Sequence, residues 1–177
     1  METFRAPRGF VHNPAYLEDR DAALKRLDPD IIDGPIVDLV MGFARLPECF
    51  TMQSCYGHFV WAPGQAPGNL ERLPETHEGE IEYRIAYMAF CLENSARGRK
   101  LRESLEGIAS ADPEYVQFGS PDWFWNEWPN SYALQVEPVR HQCSDSLVIG
   151  FEEALRIERA RDDFYEGMRG VLKRHLK

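Results

Sequence analysis

Glu80-Ile81-Glu82-Tyr83-Arg84-Ile85-Ala86-Tyr87-Met88-Ala89-Phe90-Cys91-Leu92 changes character half-way along. Ile81, Tyr83, Ile85 and Tyr87 alternate with Glu80, Glu82 and Arg84, the period of a strand with one wet face; from Met88 to Leu92 every residue is apolar, so both faces are buried there. The stretch predicts a strand that runs from a sheet edge into the core. Working outward, Tyr115 to Phe118 and Tyr132 to Val136 read as two further strands, with Phe50 to Ser54 and His58 to Trp61 as short β-prone segments on either side of Tyr56-Gly57.

Helices are expected at both ends of this block. Residues 14 to 27 predict a surface helix. Asp33 is placed to cap a second helix, with Pro35 in its first turn, Ile36, Leu39, Val40, Phe43 and Leu46 at helical spacing, and Pro47 as its stop. A third is expected from Ser95 to Ala109. Leu147, Phe151, Ala154, Leu155, Phe164, Met168, Val171 and Leu172 then fit one face of a long final helix beginning after Ser144-Asp145-Ser146. Arg156, Arg159 and Arg161, alternating with acids, read as its solvated side. The class is α+β: a mainly antiparallel central sheet, helices packed on one face, and a long C-terminal helix.

The 177 residues suit a single domain spanning 1–177, interrupted by a loop at about 62–79 that holds Pro63, Gly64, Pro67, Gly68, Pro74 and Gly79. Such a loop reads either as a lid or as a dispensable excursion. No apolar run approaches the ~20 residues of a bilayer span, and the first residues lack the features of a secretory signal, so a cytoplasmic protein without membrane contact is expected. Cys49, Cys55, Cys91 and Cys143 are irregularly spaced and read as free thiols. A net charge of -9 argues against non-specific nucleic-acid binding. The basic cluster Arg97, Arg99, Lys100 and Arg102 reads as helix surface.

Chemistry concentrates in Thr51-Met52-Gln53-Ser54-Cys55-Tyr56-Gly57-His58, where a hydroxyl, a thiol and an imidazole follow a strand. Ser54, Cys55 and His58 are the candidate catalytic residues. Gly57 permits a positive φ angle or the close approach of a ligand to the backbone. The bland reading is a strand-turn-strand in which Cys55 fills space and His58 is a satisfied core or edge histidine.

A helix followed by Pro47-Glu48-Cys49-Phe50-Thr51-Met52-Gln53-Ser54-Cys55-Tyr56-Gly57-His58 resembles the signature region of the wybutosine-synthesising tRNA methyltransferase family over about a fifth of the chain. That family carries Thr and then Ser-Ser-Cys-Ser-Gly-Arg; Thr51, Ser54, Cys55 and Gly57 match, whereas Gln53, Tyr56 and His58 depart. The resemblance implies transfer of a methyl group from S-adenosylmethionine to a modified guanosine. Exchanging the family's arginine for His58 replaces a permanent cation with a titratable one. Thr51 and Gly57, with Trp125 from the aromatic loop 121–130 and Arg140 and His141, are the candidate cofactor-binding residues, and a small-molecule or modified-nucleotide ligand is the expected partner. The sequence contains no Gly-x-Gly-x-x-Gly fingerprint.

Three alternatives accompany this reading. Cys55 and His58 could join His141 and Cys143 around zinc, although two unconnected polar turns are the preferred reading and no metal is assigned. Cys55 could be a nucleophile activated by His58 or His141. Lastly, the chain could be a non-catalytic module that forms a homodimer through Ile157, Tyr165 and Met168.

Overall fold

The computed structural model describes residues 6–141 and 145–177. Cys143, one of the residues weighed for zinc, lies outside them. Among these residues, five α-helices and seven strands are ordered α1 (Tyr16–Arg26), α2 (Val37–Phe43), β1 (Cys49–Cys55), β2 (His58–Val60), β3 (Glu80–Arg84), β4 (Ala86–Leu92), α3 (Ala96–Ala111), β5 (Val116–Gly119), α4 (Asp122–Glu127), β6 (Ser131–Val136), β7 (Ser146–Gly150) and α5 (Phe151–His175). The α+β class holds, with every strand pairing antiparallel.

Two sheets are present rather than one. The larger runs β1-β4-β6-β5 and the smaller β2-β3-β7. The sequence stretch that reads as one strand is therefore two, divided at Ile85. The Tyr83 hydroxyl fixes this break by accepting the Ala86 N–H (2.9 Å) and donating to the Val136 carbonyl (2.8 Å). Tyr56-Gly57 forms the matching break opposite. It is not a hairpin turn, because β1 pairs with β4 while β2 pairs with β3.

Alternation along the strands sorts the larger sheet into two faces. Ala86, Met88, Phe90 and Leu92 of β4, with Tyr132, Leu134 and Val136 of β6, enter the main core beneath α2, α3 and α5. The opposite face is smaller-chained and only partly covered. Phe50 and Cys91 meet Tyr16 of α1, while Ala89 and Ala133 meet Phe124 of α4. The short helix α4 replaces the aromatic loop expected between β5 and β6.

The final helix begins later than its periodicity suggests. Ser146–Gly150 form β7, whose residues alternate exposed and buried against β3 before Gly150 opens α5. Ile157, Tyr165 and Met168, the positions considered for a dimer surface, are buried in the core. Arg161 corrects the solvated-face reading of α5, since it is 3% exposed. No helix among the described residues is long and apolar enough to cross a membrane.

Candidate functional site

The site forms where the two sheets part company. A β-bulge between Thr51 and Gln53 shifts the register of β1, so that Gln53 faces Ala89, Ser54 faces Met88 and Cys55 faces Tyr87. Directly opposed residues share a face. The extra residue therefore turns Gln53 and Cys55 onto the open face, beside Tyr87; such re-aiming is what a bulge does.

Gly57 ends this turn with φ +87°, and a Cβ there would lie 2.7 Å from that of Ala86. Its positive φ is as expected, but protein fills the space that a ligand was expected to use. The buried Arg161 guanidinium donates to the Gly57 carbonyl (3.1 Å) and lies 4.1 Å from the centre of the Tyr56 ring. Glu158 and Asp162 pair with Arg161 at 3.8 and 3.2 Å, so its charge is compensated in place. The Tyr165 hydroxyl donates to the Cys55 carbonyl, and Tyr165 stacks on Tyr56. The long helix thus clamps the turn from below.

His58 is 5% exposed and engages Asp33, which the sequence reading treats as a helix cap. The Asp33 carboxylate makes no capping bond. Instead its Oδ2 accepts the Tyr56 N–H at 2.7 Å and lies 3.4 Å from His58 Nε2. His58 Nδ1 is 3.1 Å from the Asn69 carbonyl oxygen. Asp33 first and the Cys55 sulfur second push the imidazole up to about 10, against the opposing effect of burial. Burial alone would raise the Asp33 carboxyl; the His58 and Tyr56 N–H groups outweigh it and hold it below its ordinary value.

The loop after β2 is docked rather than loose. Asn69 Nδ2 donates to the Phe59 carbonyl (3.2 Å), the Leu73 N–H donates to Glu158 (3.0 Å), and Arg72 pairs with Asp162 at 2.9 Å. Gln65 accepts the N–H groups of Trp61 and Ala62, which closes the loop's first turn.

Two clefts of about 390 and 430 Å³ meet at Gln53 and Tyr87, the first along the β1 edge of the sheet and the second on the open face. Thr51 and Ser54 border the first, together with Leu27, Asp28, Ile32, Phe50 and Trp128. Cys55 borders the second, with Arg84, Trp123, Phe124, Gln135 and Asp145. The Tyr87 hydroxyl donates to Gln53 Oε1 at 3.3 Å, bridging the wall between the clefts. Ser54 and Cys55, grouped by sequence, therefore open onto different clefts.

Three residues expected to hold a cofactor sit elsewhere. Trp125 packs edge-on against Tyr132 beneath the Arg8 guanidinium; the exposed Trp123 takes its place at the cleft. Arg140 pairs with Glu114 and Glu153, and His141 ends the 3-10 turn Val139–His141. Among the described residues, Cys55 and His58 converge with Asp33 and not with His141.

No family model matches the chain. No curated protein matches it either. The chain is similar in structure to the PH1069 protein of Pyrococcus horikoshii, with a TM-score of 0.43 and 13% identity over 90% of this chain and 91% of that one. A hypothetical protein from Aeropyrum pernix gives a TM-score of 0.39 and 12% identity over 80% of this chain and 93% of that one. These values are too low to carry an inference.

Proposed function

We propose that the protein binds S-adenosylmethionine in the Trp128 cleft and transfers its methyl group to a modified guanine nucleotide held in the Trp123 cleft. The observation that carries this reading is the adjacency of two ligand-sized clefts across one wall, built by the Thr51–Cys55 segment on which the family resemblance rests. A methyl transferase brings two substrates together at one point. Bound there, S-adenosylmethionine would supply an electrophilic methyl group for a nucleophilic atom of the base, its own sulfur departing as the thioether of S-adenosylhomocysteine. The base then sheds its proton to solvent.

The protein's part in such a step is placement. Phe50, Leu27, Ile32 and Trp128 supply apolar walls for adenine, and Asp28 a carboxylate for ribose hydroxyls. Trp123 offers a stacking surface, Arg84 a partner for phosphate, and Gln135 and Asp145 polar groups for base edges. The net charge of -9 repels polynucleotide at a distance, so recognition of the acceptor is local. Asp33 and His58 act as positioning residues for Cys55 and the end of β1.

Thermal-shift titration tests the reading. S-adenosylmethionine and S-adenosylhomocysteine at 100 times Kd are each expected to stabilise the protein by about 2.7 kcal/mol. Trp128→Ala is expected to abolish these shifts and Trp123→Ala to preserve them. Absence of a saturable shift with both cofactors, at millimolar concentration, overturns the proposal.

A further inference from the structure

Asp33, Cys55 and His58 each aim one donor atom at a common point: an oxygen, a sulfur and a nitrogen that all lie within 4.8 Å of one another. They come from three places in the fold, the turn before α2, the end of β1 and the start of β2. Their surroundings orient all three. A carbonyl oxygen only accepts, so the Asn69 carbonyl, 3.1 Å from Nδ1, assigns the proton to that nitrogen and leaves Nε2 as the atom facing Asp33 and Cys55. The Tyr56 N–H holds Asp33 Oδ2, and the Tyr165 hydroxyl holds the Cys55 backbone. A histidine whose second nitrogen is tied to a backbone carbonyl, beside a carboxylate that is itself hydrogen-bonded, is the supporting shell of a metal site.

A proton on Nε2 is attracted by both Asp33 and the Cys55 sulfur but bonds well to one at a time, whereas a metal ion engages all three donors at once. We infer that Asp33 Oδ2, Cys55 Sγ and His58 Nε2 bind a single divalent transition-metal ion of the zinc type. The donor set decides the class. Thiolate and imidazole with one carboxylate suit zinc, whereas calcium and magnesium take oxygen ligands. The spacing agrees: metal bonds of 2.0–2.2 Å at the tetrahedral angle put nitrogen and oxygen donors about 3.4 Å apart, and Nε2 and Oδ2 are 3.4 Å apart already. The sulfur needs to close by up to about 1 Å to reach its own bond length. On binding, the ion replaces the protons of Cys55 Sγ and His58 Nε2, which go to solvent. Three protein donors leave a fourth position for water or a ligand atom, as in reactive rather than structural zinc sites. Cys55 also borders the Trp123 cleft, so the ion would sit at that cleft's margin.

This site is independent of the methyl-transfer reading, because its test needs no cofactor. Chelator-treated protein is titrated with Co²⁺, and the readout is the near-ultraviolet thiolate-to-cobalt band together with visible bands of tetrahedral intensity. Saturation at one equivalent is expected, with Zn²⁺ bleaching the signal. Cys55→Ser is expected to remove the near-ultraviolet band, and Asp33→Asn to keep it while weakening affinity at least tenfold. Metal-free circular dichroism of each variant, matched to the parent, separates ligand loss from unfolding; His58→Gln serves as a second probe if Asp33→Asn fails to fold. A folded parent protein with no thiolate band, or a band that survives Cys55→Ser, overturns the proposal.

Discussion

The two faces of the larger sheet are built from the same strands and serve opposite ends. On the inner face, Met88, Phe90, Tyr132 and Leu134 meet three helices and are closed to water. On the outer face, Phe124 of α4 covers Ala89 and Ala133, whereas Gln53 and Tyr87 stay partly open and border both clefts. Side-chain size decides this. Alanines at 89 and 133 let Phe124 of α4 seat directly on the strands, while the larger Gln53 and Tyr87 stand beside it as the wall between the clefts. The closed core and the open cleft thereby lie on opposite sides of one sheet.

The largest expected effect breaks the inner face. Phe90→Ala removes a fully buried ring that stands edge-on against Phe43, and a loss of about 3–5 kcal/mol is expected in denaturant unfolding. The seam between the faces comes next. Gly57→Ala combines a φ of +87° with a clash against Ala86 and is expected to cost about 2 kcal/mol. A result near zero would mean that the turn reshapes freely and does not fix Cys55.

The ion pair across the same seam predicts a pH profile. His58 is raised from 6.5 to about 10 in the fold, so its contribution is complete below pH 6.5 and is lost as pH rises towards about 10, where the folded state gives up the proton that the unfolded state has already released. Asp33 is lowered, so its contribution is present above its ordinary 3.8 and lost as pH falls through the folded value. Stability of the metal-free parent should decline between pH 6.5 and 10, and His58→Gln should flatten that decline; equal slopes would show that the pair does not couple to folding. Smallest in stability is Trp123→Ala on the outer face. Its 43%-exposed ring is expected to change unfolding free energy by less than about 0.5 kcal/mol while weakening nucleotide binding at least tenfold.

Legibility in the sequence followed the range of the interactions. The alternation of Ile81 and Tyr83, the apolar run to Leu92 and the face of α5 are local patterns, and they predict their elements within a few residues. Strand β7 hides because Leu147 falls in phase with the helix that follows; Gly150 and the β-branched Val148 and Ile149 are the signals that divide the two. Asp33-Gly34-Pro35 spells a helix start, yet the carboxylate turns to partners 23 and 25 residues later in the chain, Tyr56 and His58. Arg161 looks solvated beside its acids, but its carbonyl partner, Gly57, is 104 residues away. Thr51, Ser54, Cys55 and His58 were findable as a cluster of polar and reactive side chains; the bulge that puts Cys55 rather than Ser54 on Tyr87's face has no marker in residue type.

Because the Asn69 carbonyl is the partner of His58 Nδ1, opening of the 61–79 segment and occupation of the Asp33–Cys55–His58 point share one free energy. Thermodynamic reciprocity then requires that any occupant favouring the docked loop slow its cleavage. Protease susceptibility of the stretch from Gly64 to Gly68 would then report whether the point that the docked loop touches through Asn69 is occupied.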